Sequence, residues 1–193
     1  MGLNESDTRA KLIDPTLYRQ GWSEDRIKRE ETAGGIQIIG GKAKRQGRGR
    51  TDYTLRLRVG QDTQPIAIAL IEAKKEDEMP GKGLEQAKAY QLSDRFHVPF
   101  IFSTNGHLYV EFDRTTGLTS QPKPLNQFPT PAALQSRYEA YIGFSIESAA
   151  AKPLLIPYPG GEDGRRYYRM RRFGRHWRRL GVARLKGNRD GCC

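Results

Sequence analysis

The chain is poor in cysteine and has no long apolar run, and both absences narrow its class. Its two cysteines are the adjacent Cys192 and Cys193, so the sequence offers neither a disulfide framework nor the spaced cysteines of a zinc knuckle. No apolar stretch approaches the roughly 18 residues of a membrane span, and residues 1–15 lack the apolar segment of a secretory signal. We therefore expect a cytoplasmic protein without a membrane span and with reduced cysteines, and its 193 residues suffice for one domain.

The positive charge of the chain is concentrated at one end. Of the formal net charge of +11, residues 165–193 carry +10, from ten Arg and one Lys against the acid Asp190. Residues 1–164 are therefore nearly neutral. The net charge of residues 1–164 therefore gives no reason to expect nucleic-acid binding. Any binding of nucleic acid by this part must depend on local basic patches.

The apolar pattern predicts an α/β fold with a mixed central sheet flanked by helices. Asn4 is the expected N-cap of the first helix and Gly21 its end, while Asn105-Gly106 is a strong signal for a hairpin turn. Residues 65–74 are apolar on both faces, which is typical of a central strand. The other predicted elements are helices at 23–31, 83–95 and 131–141, strands at 36–39, 51–59, 99–105 and 107–113, and a mobile basic loop at 40–50.

Charged residues stand where two of these strands begin or end. Asp52 opens the strand at 51–59, and Glu72 and Lys74 close the next strand with both side chains on one face. If a turn at 60–64 makes the two strands antiparallel neighbours, Asp52 approaches the other two residues. Paired carboxylates form a hard-oxygen site for Mg²⁺, which lowers the pKa of a bound water and neutralises phosphate charge. The pattern therefore predicts phosphodiester hydrolysis, with Lys74 positioning the water or stabilising the developing negative charge.

The order Asp52 … Glu72-Ala73-Lys74, in a frame of helix, hairpin strands, helix and strand, resembles the PD-(D/E)xK nuclease superfamily. Longer strings are similar to the N-terminal nuclease domain of the restriction (R) subunit of type I restriction enzymes. The resemblance covers about residues 3–168. It departs from the superfamily name at Thr51, because no proline stands beside Asp52. The similar strings are NESDTRAKLIDPTLYRQGW, GRTDYTLRL, IEAKKE, LEQAKAY and VPFIFSTNG.

The resemblance implies roles for the three charged residues. Asp52 and Glu72 would be metal ligands, Lys74 would be the catalytic lysine, and Mg²⁺ would be the cofactor. Without the resemblance, an isolated Glu-x-Lys pattern is weak evidence for a catalytic site, because it occurs in almost any protein.

Further site residues are implied on the helices. Gln86 and Tyr90 match the Gln-x-x-x-Tyr motif of related nucleases, and their i and i+4 spacing allows both to face the metal site. The alternative is that Tyr90 belongs to the core and Gln86 faces solvent. Glu5 matches an acidic position near the metal in such folds, although the helix dipole also favours an acid there. Arg9 and the pair Glu30-Glu31 are weaker candidates.

A basic segment precedes the strand that carries Asp52, and the resemblance gives this segment a use. Its side chains would contact the phosphates of double-stranded DNA without reading the base sequence. A solvated loop without a ligand is the alternative interpretation. The basic residues are Lys42, Lys44, Arg45, Arg48 and Arg50.

The resemblance also implies an organisation for the chain. Residues 1–168 would form the nuclease domain, with a core at 3–115 and a proline-rich extension at 116–164. Residues 169–193 would be a disordered Arg-rich tail, since likeness to the family ends at Arg169. The tail is explained either by a truncated or frame-shifted product or by a genuine segment that binds nucleic acid nonspecifically.

In this family the nuclease is followed by an ATP-driven DNA translocase and acts with modification and specificity subunits. The chain contains no Gly-x-x-x-x-Gly-Lys-Ser/Thr: in the nearest match, Ile36 and Ala43 replace the first glycine and the hydroxyl residue. We therefore expect Mg²⁺-dependent DNA cleavage without ATP binding, and weak or no cleavage by this chain alone. The alternatives are a catalytically idle module for DNA binding or subunit docking, and a basic protein that binds RNA or DNA through its tail.

Overall fold

The computed structural model describes residues 2–32, 35–39, 42–46, 49–60, 63–92 and 98–156, and for 35–39, 42–46 and 89–92 it describes the backbone alone. The predicted tail at 169–193 lies outside these ranges. Within them, no helix combines the length and the apolar character needed to cross a membrane.

The first predicted helix is present, and it contains a π turn. The Asn4 side chain caps its first turn by accepting a hydrogen bond from the Asp7 N–H at 2.9 Å. Gly21 lies just beyond its last turn with a φ of +86°, a conformation that glycine adopts without strain. The successive segments are α1 (Glu5–Thr8), the π turn (Arg9–Ile13) and α2 (Asp14–Arg19).

A mixed sheet forms the centre of the fold. The strands of the described chain are β1 (Ile27–Thr32), β2 (Gly35–Ile39), β3 (Lys42–Gln46), β4 (Arg50–Leu57), β5 (Ile66–Ala73), β6 (Phe100–Thr104), β7 (Leu108–Asp113), β8 (Leu118–Thr119) and β9 (Lys123–Pro124). The remaining helices are α3 (Leu84–Leu92), α4 (Pro131–Ile142) and α5 (Lys152–Leu155). The main sheet has the order β1-β4-β5-β6-β7-β8, with β9 also paired to β7, and β2 pairs with β3 in a separate ribbon.

The strand directions confirm the predicted α/β class. Neighbouring strands of the main sheet are antiparallel except β5 and β6, which are parallel. α3 lies in the connection between those two strands, because a parallel pair needs a crossover rather than a tight turn. The chain then turns at Asn105-Gly106, where Gly106 has a φ of +90°, and this confirms the predicted hairpin of β6 and β7.

Apolar side chains cover both faces of the sheet. The larger core contains residues of the N-terminal helix and of α4, and in it the Phe128 ring lies 4.7 Å from Phe102 and 5.3 Å from Tyr109. A smaller core joins α3 to the other face through Leu70, Leu84, Ala87, Val98, Ile101 and Val110. β5 is therefore the central strand, covered on both faces, that the sequence predicts.

The predicted helix at 23–31 is wrong. A 3₁₀ turn (Glu24–Arg26) is followed directly by β1, whose first residue Ile27 is buried. β1 pairs with β4, and Arg56 of β4 contacts Glu31 at 2.7 Å. Pairing with a distant strand therefore outweighs the local helical signal.

The predicted basic loop at 40–50 is wrong over part of its length. Residues 42–46 form β3, and the β2–β3 pairing runs from Ile39 opposite Lys42 to Gly35 opposite Gln46. The basic and glycine-rich composition favoured a loop. A ladder of hydrogen bonds, however, needs only backbone N–H and C=O groups, which every residue except proline supplies in full.

Candidate active site

The start of β4 lies beside the end of β5. Tyr53 pairs with Ile71 in an antiparallel ladder, which places Asp52, one residue earlier, next to the last residues of β5. Asp52 Oδ2 accepts a hydrogen bond from the Ala73 N–H at 2.8 Å. Asp52 therefore lies beside the end of β5, as the sequence predicts.

Lys74 connects the end of β5 to α3. Its Nζ donates hydrogen bonds to Glu72 Oε1 at 3.0 Å and to Gln86 Oε1 at 3.1 Å. The structure thus places Gln86 beside the charged residues, as its helical spacing suggested. The backbone of Tyr90 belongs to α3, but its side chain lies outside the described part of the chain, so its role stays a prediction.

Glu72 is a buried carboxylate that is only partly satisfied. The residue is 3% exposed, and among the described residues its Oε2 has no hydrogen-bond partner. Burial raises the pKa of Glu72 to about 7, and the negative charge of Asp52 adds to this effect, while the hydrogen bond from Lys74 opposes it. At neutral pH the site therefore holds a carboxylate whose ionised form would be stabilised by a further cation.

The neighbouring charges respond to the same environment. Burial raises the pKa of Asp52, and the charge of Glu5 adds to the shift, although the Ala73 N–H, Arg9 and Lys74 oppose it. For Lys74, burial alone would lower the pKa, yet the hydrogen bond and charge of Glu72 raise it overall. Lys74 is therefore an ammonium at neutral pH.

The donor set at this point fits a divalent cation. Asp52 and Glu72 supply hard carboxylate oxygens, the ligands that Mg²⁺ prefers, and the unpartnered Glu72 Oε2 is available. Glu5 raises the pKa of both carboxyl groups through its charge. Nevertheless, no group of three or more His, Cys, Asp or Glu side chains within the described ranges is arranged to hold a metal ion. Glu5 as a third ligand therefore stays a prediction, and the structure shows two candidate carboxylates.

Gly83 belongs to the site although the sequence analysis did not select it. A Cβ atom at this position would lie 2.7 Å from Glu72 Cγ, Lys74 Cε and Ser103 Oγ. The Gly83 N–H also donates to Ser103 Oγ at 3.2 Å. Only glycine allows α3 to begin this close to the charged side chains. A glycine directly before a predicted helix was the signal that could have identified it.

Arg9 contacts the site from the N-terminal helix. Its Nη1 lies 3.3 Å from Asp52 Oδ1 and its Nη2 lies 3.2 Å from Glu30 Oε1. Glu30 in turn accepts a hydrogen bond from Arg50 Nη1 at 3.4 Å. Sequence reasoning treated Arg9 and Glu30 only as weaker candidates, because no local pattern links residues that are far apart in the chain.

The predicted DNA-contacting residues are described to different degrees. Arg50 is exposed at the start of β4 and pairs with Glu30. The other basic positions belong to β3 or its flanks, and their contacts with DNA stay a prediction. Side chains outside the described part of the structure are those of Lys42, Lys44, Arg45 and Arg48.

Comparison with known proteins defines the class of this fold. A solved fragment assigned to an HsdR subunit of a type I restriction enzyme from Vibrio vulnificus YJ016 matches with a TM-score of 0.64 and 34% identity. The match covers 93% of this chain and 33% of that chain. The mixed sheet flanked by helices is therefore an α/β core similar to that of an HsdR fragment.

A sequence relative agrees with the structural match. The Type I restriction enzyme EcoAI endonuclease subunit of Escherichia coli is 29% identical over 177 residues, which is 87% of this chain and 21% of that protein. No protein-family model matches the chain. The homologues of this chain are endonuclease (HsdR) subunits of type I restriction enzymes, which confirms the family resemblance. The chain spans about a fifth of the curated relative's length.

Proposed function

We propose that this chain is the nuclease module of a type I restriction endonuclease subunit and hydrolyses phosphodiester bonds of double-stranded DNA with Mg²⁺. One observation carries the proposal: Asp52, Glu72 and Lys74 converge at the end of β5. Glu72 Oε2 has no hydrogen-bond partner among the described residues, so it remains available to a cation. Perturbed carboxyl groups beside a lysine are typical of active sites.

Each side chain has a distinct part in the proposed reaction. Asp52 and Glu72 would hold the metal, which when bound supplies a water of lowered pKa and neutralises phosphate charge. Lys74 remains protonated, so it donates hydrogen bonds to phosphate oxygens and stabilises the charge that develops there. Gln86 accepts a hydrogen bond from Lys74 and so orients the ammonium toward the site.

DNA would reach the site along the basic ribbon of β2 and β3. Arg50 follows this ribbon in the chain and begins the strand that carries Asp52. Basic side chains there would bind phosphates without base specificity, and that binding would weaken as salt concentration rises. Selection of the target sequence would require the modification and specificity subunits of the complex.

A second candidate function is a docking or DNA-binding module whose site is idle in isolation. Its support is that the chain spans 21% of its curated relative and that the site groups are paired with one another. Arg9 contacts Asp52, and Lys74 contacts both Glu72 and Gln86. Cleavage would then depend on the rest of the subunit and on its partner subunits.

Plasmid nicking tests the proposed nuclease. We expect the purified chain to nick supercoiled plasmid slowly with Mg²⁺ or Mn²⁺ and to stop when EDTA is added. Lys74→Ala should lower the rate at least about 100-fold, because it removes a donor to the developing charge. The control is Lys88→Ala, which removes a lysine of α3 that lies over the Phe112 ring.

The outcomes separate the two candidates. Nicking that survives Lys74→Ala would contradict the nuclease site. A wild-type chain that binds DNA but never nicks it would support the idle module. Activity in Lys88→Ala at the wild-type level shows that loss of a lysine from α3 does not by itself abolish cleavage.

A further inference from the structure

We infer that Arg9 is a positioning residue, which holds the Asp52 carboxylate in the orientation that metal binding requires, and that Glu30 anchors Arg9. This inference rests on the proposed function, because it assigns Asp52 to the metal. It concerns a side chain that takes no part in the proposed chemistry itself.

The contacts around Asp52 restrain both of its oxygens. Oδ1 faces Arg9 Nη1 at 3.3 Å, and Oδ2 accepts the Ala73 N–H at 2.8 Å. The two donors come from different elements, the N-terminal helix and β5, so the carboxylate plane is held from two directions. Hydrogen bonds of this kind to a metal-ligating carboxylate orient it and prepare its free lone pairs for the ion.

Arg9 is itself held by a second acid. Its Nη2 lies 3.2 Å from Glu30 Oε1, so the planar guanidinium bridges carboxylates of two neighbouring strands. A lysine could not replace this geometry, since its single ammonium lacks the rigid fork of arginine. The side chains of Arg9 and Asp52 are 21% and 14% exposed, and this limits competition from water.

Two backbone irregularities coincide with this bridge. Arg9 is the first residue of the π turn, a conformation found often at functional sites. Glu30 has a φ of +50° and is the one non-glycine residue of the described chain with positive φ. It lies between Arg29, which pairs with Tyr53, and Glu31, which pairs with Thr51, at the position in β1 opposite Asp52. The positive φ of Glu30 is a costly conformation for an L residue, and its position at one end of the bridge indicates that the bridge is maintained.

If Arg9 served only to balance charge, its removal would change the metal affinity in the opposite direction. If Arg9 only offsets negative charge, its removal leaves more negative charge and should strengthen binding of a divalent cation. If Arg9 positions Asp52, its removal should weaken that binding. The sign of the change in metal affinity therefore distinguishes the two roles, and this measurement does not depend on DNA cleavage.

The experiment measures Mn²⁺ affinity of the full chain by calorimetry or electron paramagnetic resonance. We expect Arg9→Gln to weaken Mn²⁺ binding about tenfold and to lower plasmid nicking by at least that factor. Glu30→Gln should weaken binding less, and the double variant should bind no more weakly than Arg9→Gln, because Glu30 acts through Arg9. The control is Lys11→Gln, which removes an exposed lysine of the same π turn.

Each result bears on a defined part of the inference. Unchanged or tighter Mn²⁺ binding by Arg9→Gln would overturn the positioning role and leave the proposed function intact. A wild-type chain without Mn²⁺ affinity would overturn the proposed function and this role with it. Should Arg9→Gln fail to fold, Arg9→Lys and Glu30→Gln decide the question, since weaker binding in both is required.

Discussion

Two arginines of this protein each bridge a pair of carboxylates on the sheet, and the two bridges differ in electrostatic balance. Arg9 connects Asp52 to Glu30 at the end of β5. Arg137 of α4 contacts Glu111 and, at 2.8 Å, Asp113 Oδ2, and its guanidinium lies 4.2 Å from the centre of the Phe100 ring. The Arg9 bridge joins acids of the neighbouring strands β1 and β4, whereas both acids of the Arg137 bridge belong to β7.

The pKa values of the bridged aspartates shift in opposite directions. Burial would raise the pKa of Asp113, but hydrogen bonds from Thr115 and Arg137 lower it overall. At Asp52, burial together with the charge of Glu5 prevails over Arg9, and the pKa is raised. An arginine bridge is therefore not a sign of function by itself. The candidate site is distinguished by carboxyl groups with raised pKa values. Their ionised forms are disfavoured, so an added cation would stabilise them.

The largest expected effect on stability comes from breaking the balanced bridge. Arg137→Gln should lower the free energy of unfolding by about 2 kcal/mol, because it leaves the buried Glu111 without its cation. The value is below that of a fully buried pair, since the Arg137 side chain is 37% exposed and partly screened. Urea denaturation at pH 7 measures it. Arg9→Gln should lower the free energy of unfolding by less than Arg137→Gln does. A larger decrease for Arg9→Gln would contradict the difference between the two bridges.

A smaller effect, of about 1–2 kcal/mol, should appear as a pH dependence at Glu72. Its pKa of about 7 in the folded protein exceeds its ordinary value of 4.5, so this group favours folding below about pH 4.5 and that contribution is lost as pH rises through 7. Glu72→Gln does not ionise, so its stability relative to wild type should increase between pH 4 and pH 8. Denaturation curves at several pH values, recorded with EDTA, measure this trend.

Asp113→Asn is the control with the opposite sign. Because the pKa of Asp113 is lowered on folding, its ionised form contributes stability above its ordinary pKa that is lost in acid. The stability of Asp113→Asn relative to wild type should therefore decrease as pH rises. Equal pH trends in the two variants would show that the pKa values of Glu72 in the candidate site and of Asp113 in the Arg137 bridge do not shift in opposite directions.

The smallest expected effect concerns backbone strain at Glu30. Glu30→Gly should raise the free energy of unfolding by about 0.5 kcal/mol, because relief of the strain at a φ of +50° outweighs the loss of the half-exposed ion pairs of Glu30 with Arg9 and Arg50. The comparison variant is Lys28→Gly at an exposed position in the regular part of β1, which should be destabilised by about 1 kcal/mol. Thermal unfolding of both variants measures the difference. Destabilisation of Glu30→Gly to the same extent would contradict strain at this position.

Much of the fold was accessible from the sequence because it is encoded locally. The alternation of residues 51–59 predicted β4, and the doubly apolar run at 65–74 predicted the central strand β5. The helix predicted at 23–31 failed because β1 becomes a strand only by pairing with β4, which lies farther along the chain. The loop predicted at 40–50 failed over 42–46 because its basic, glycine-rich composition did not reveal the backbone pairing with the neighbouring β2.

By itself, the sequence determined most of the helices and strands, the acids and lysine at the ends of two adjacent strands, and the family resemblance. Only the tertiary structure decided that Arg9 reaches Asp52, that Gly83 packs against Lys74, and that Glu72 is buried with an unpartnered oxygen. The physical reason is that strand period and turn chemistry act between neighbours in the chain. Desolvation and Coulomb interactions instead depend on which residues the folded chain brings together.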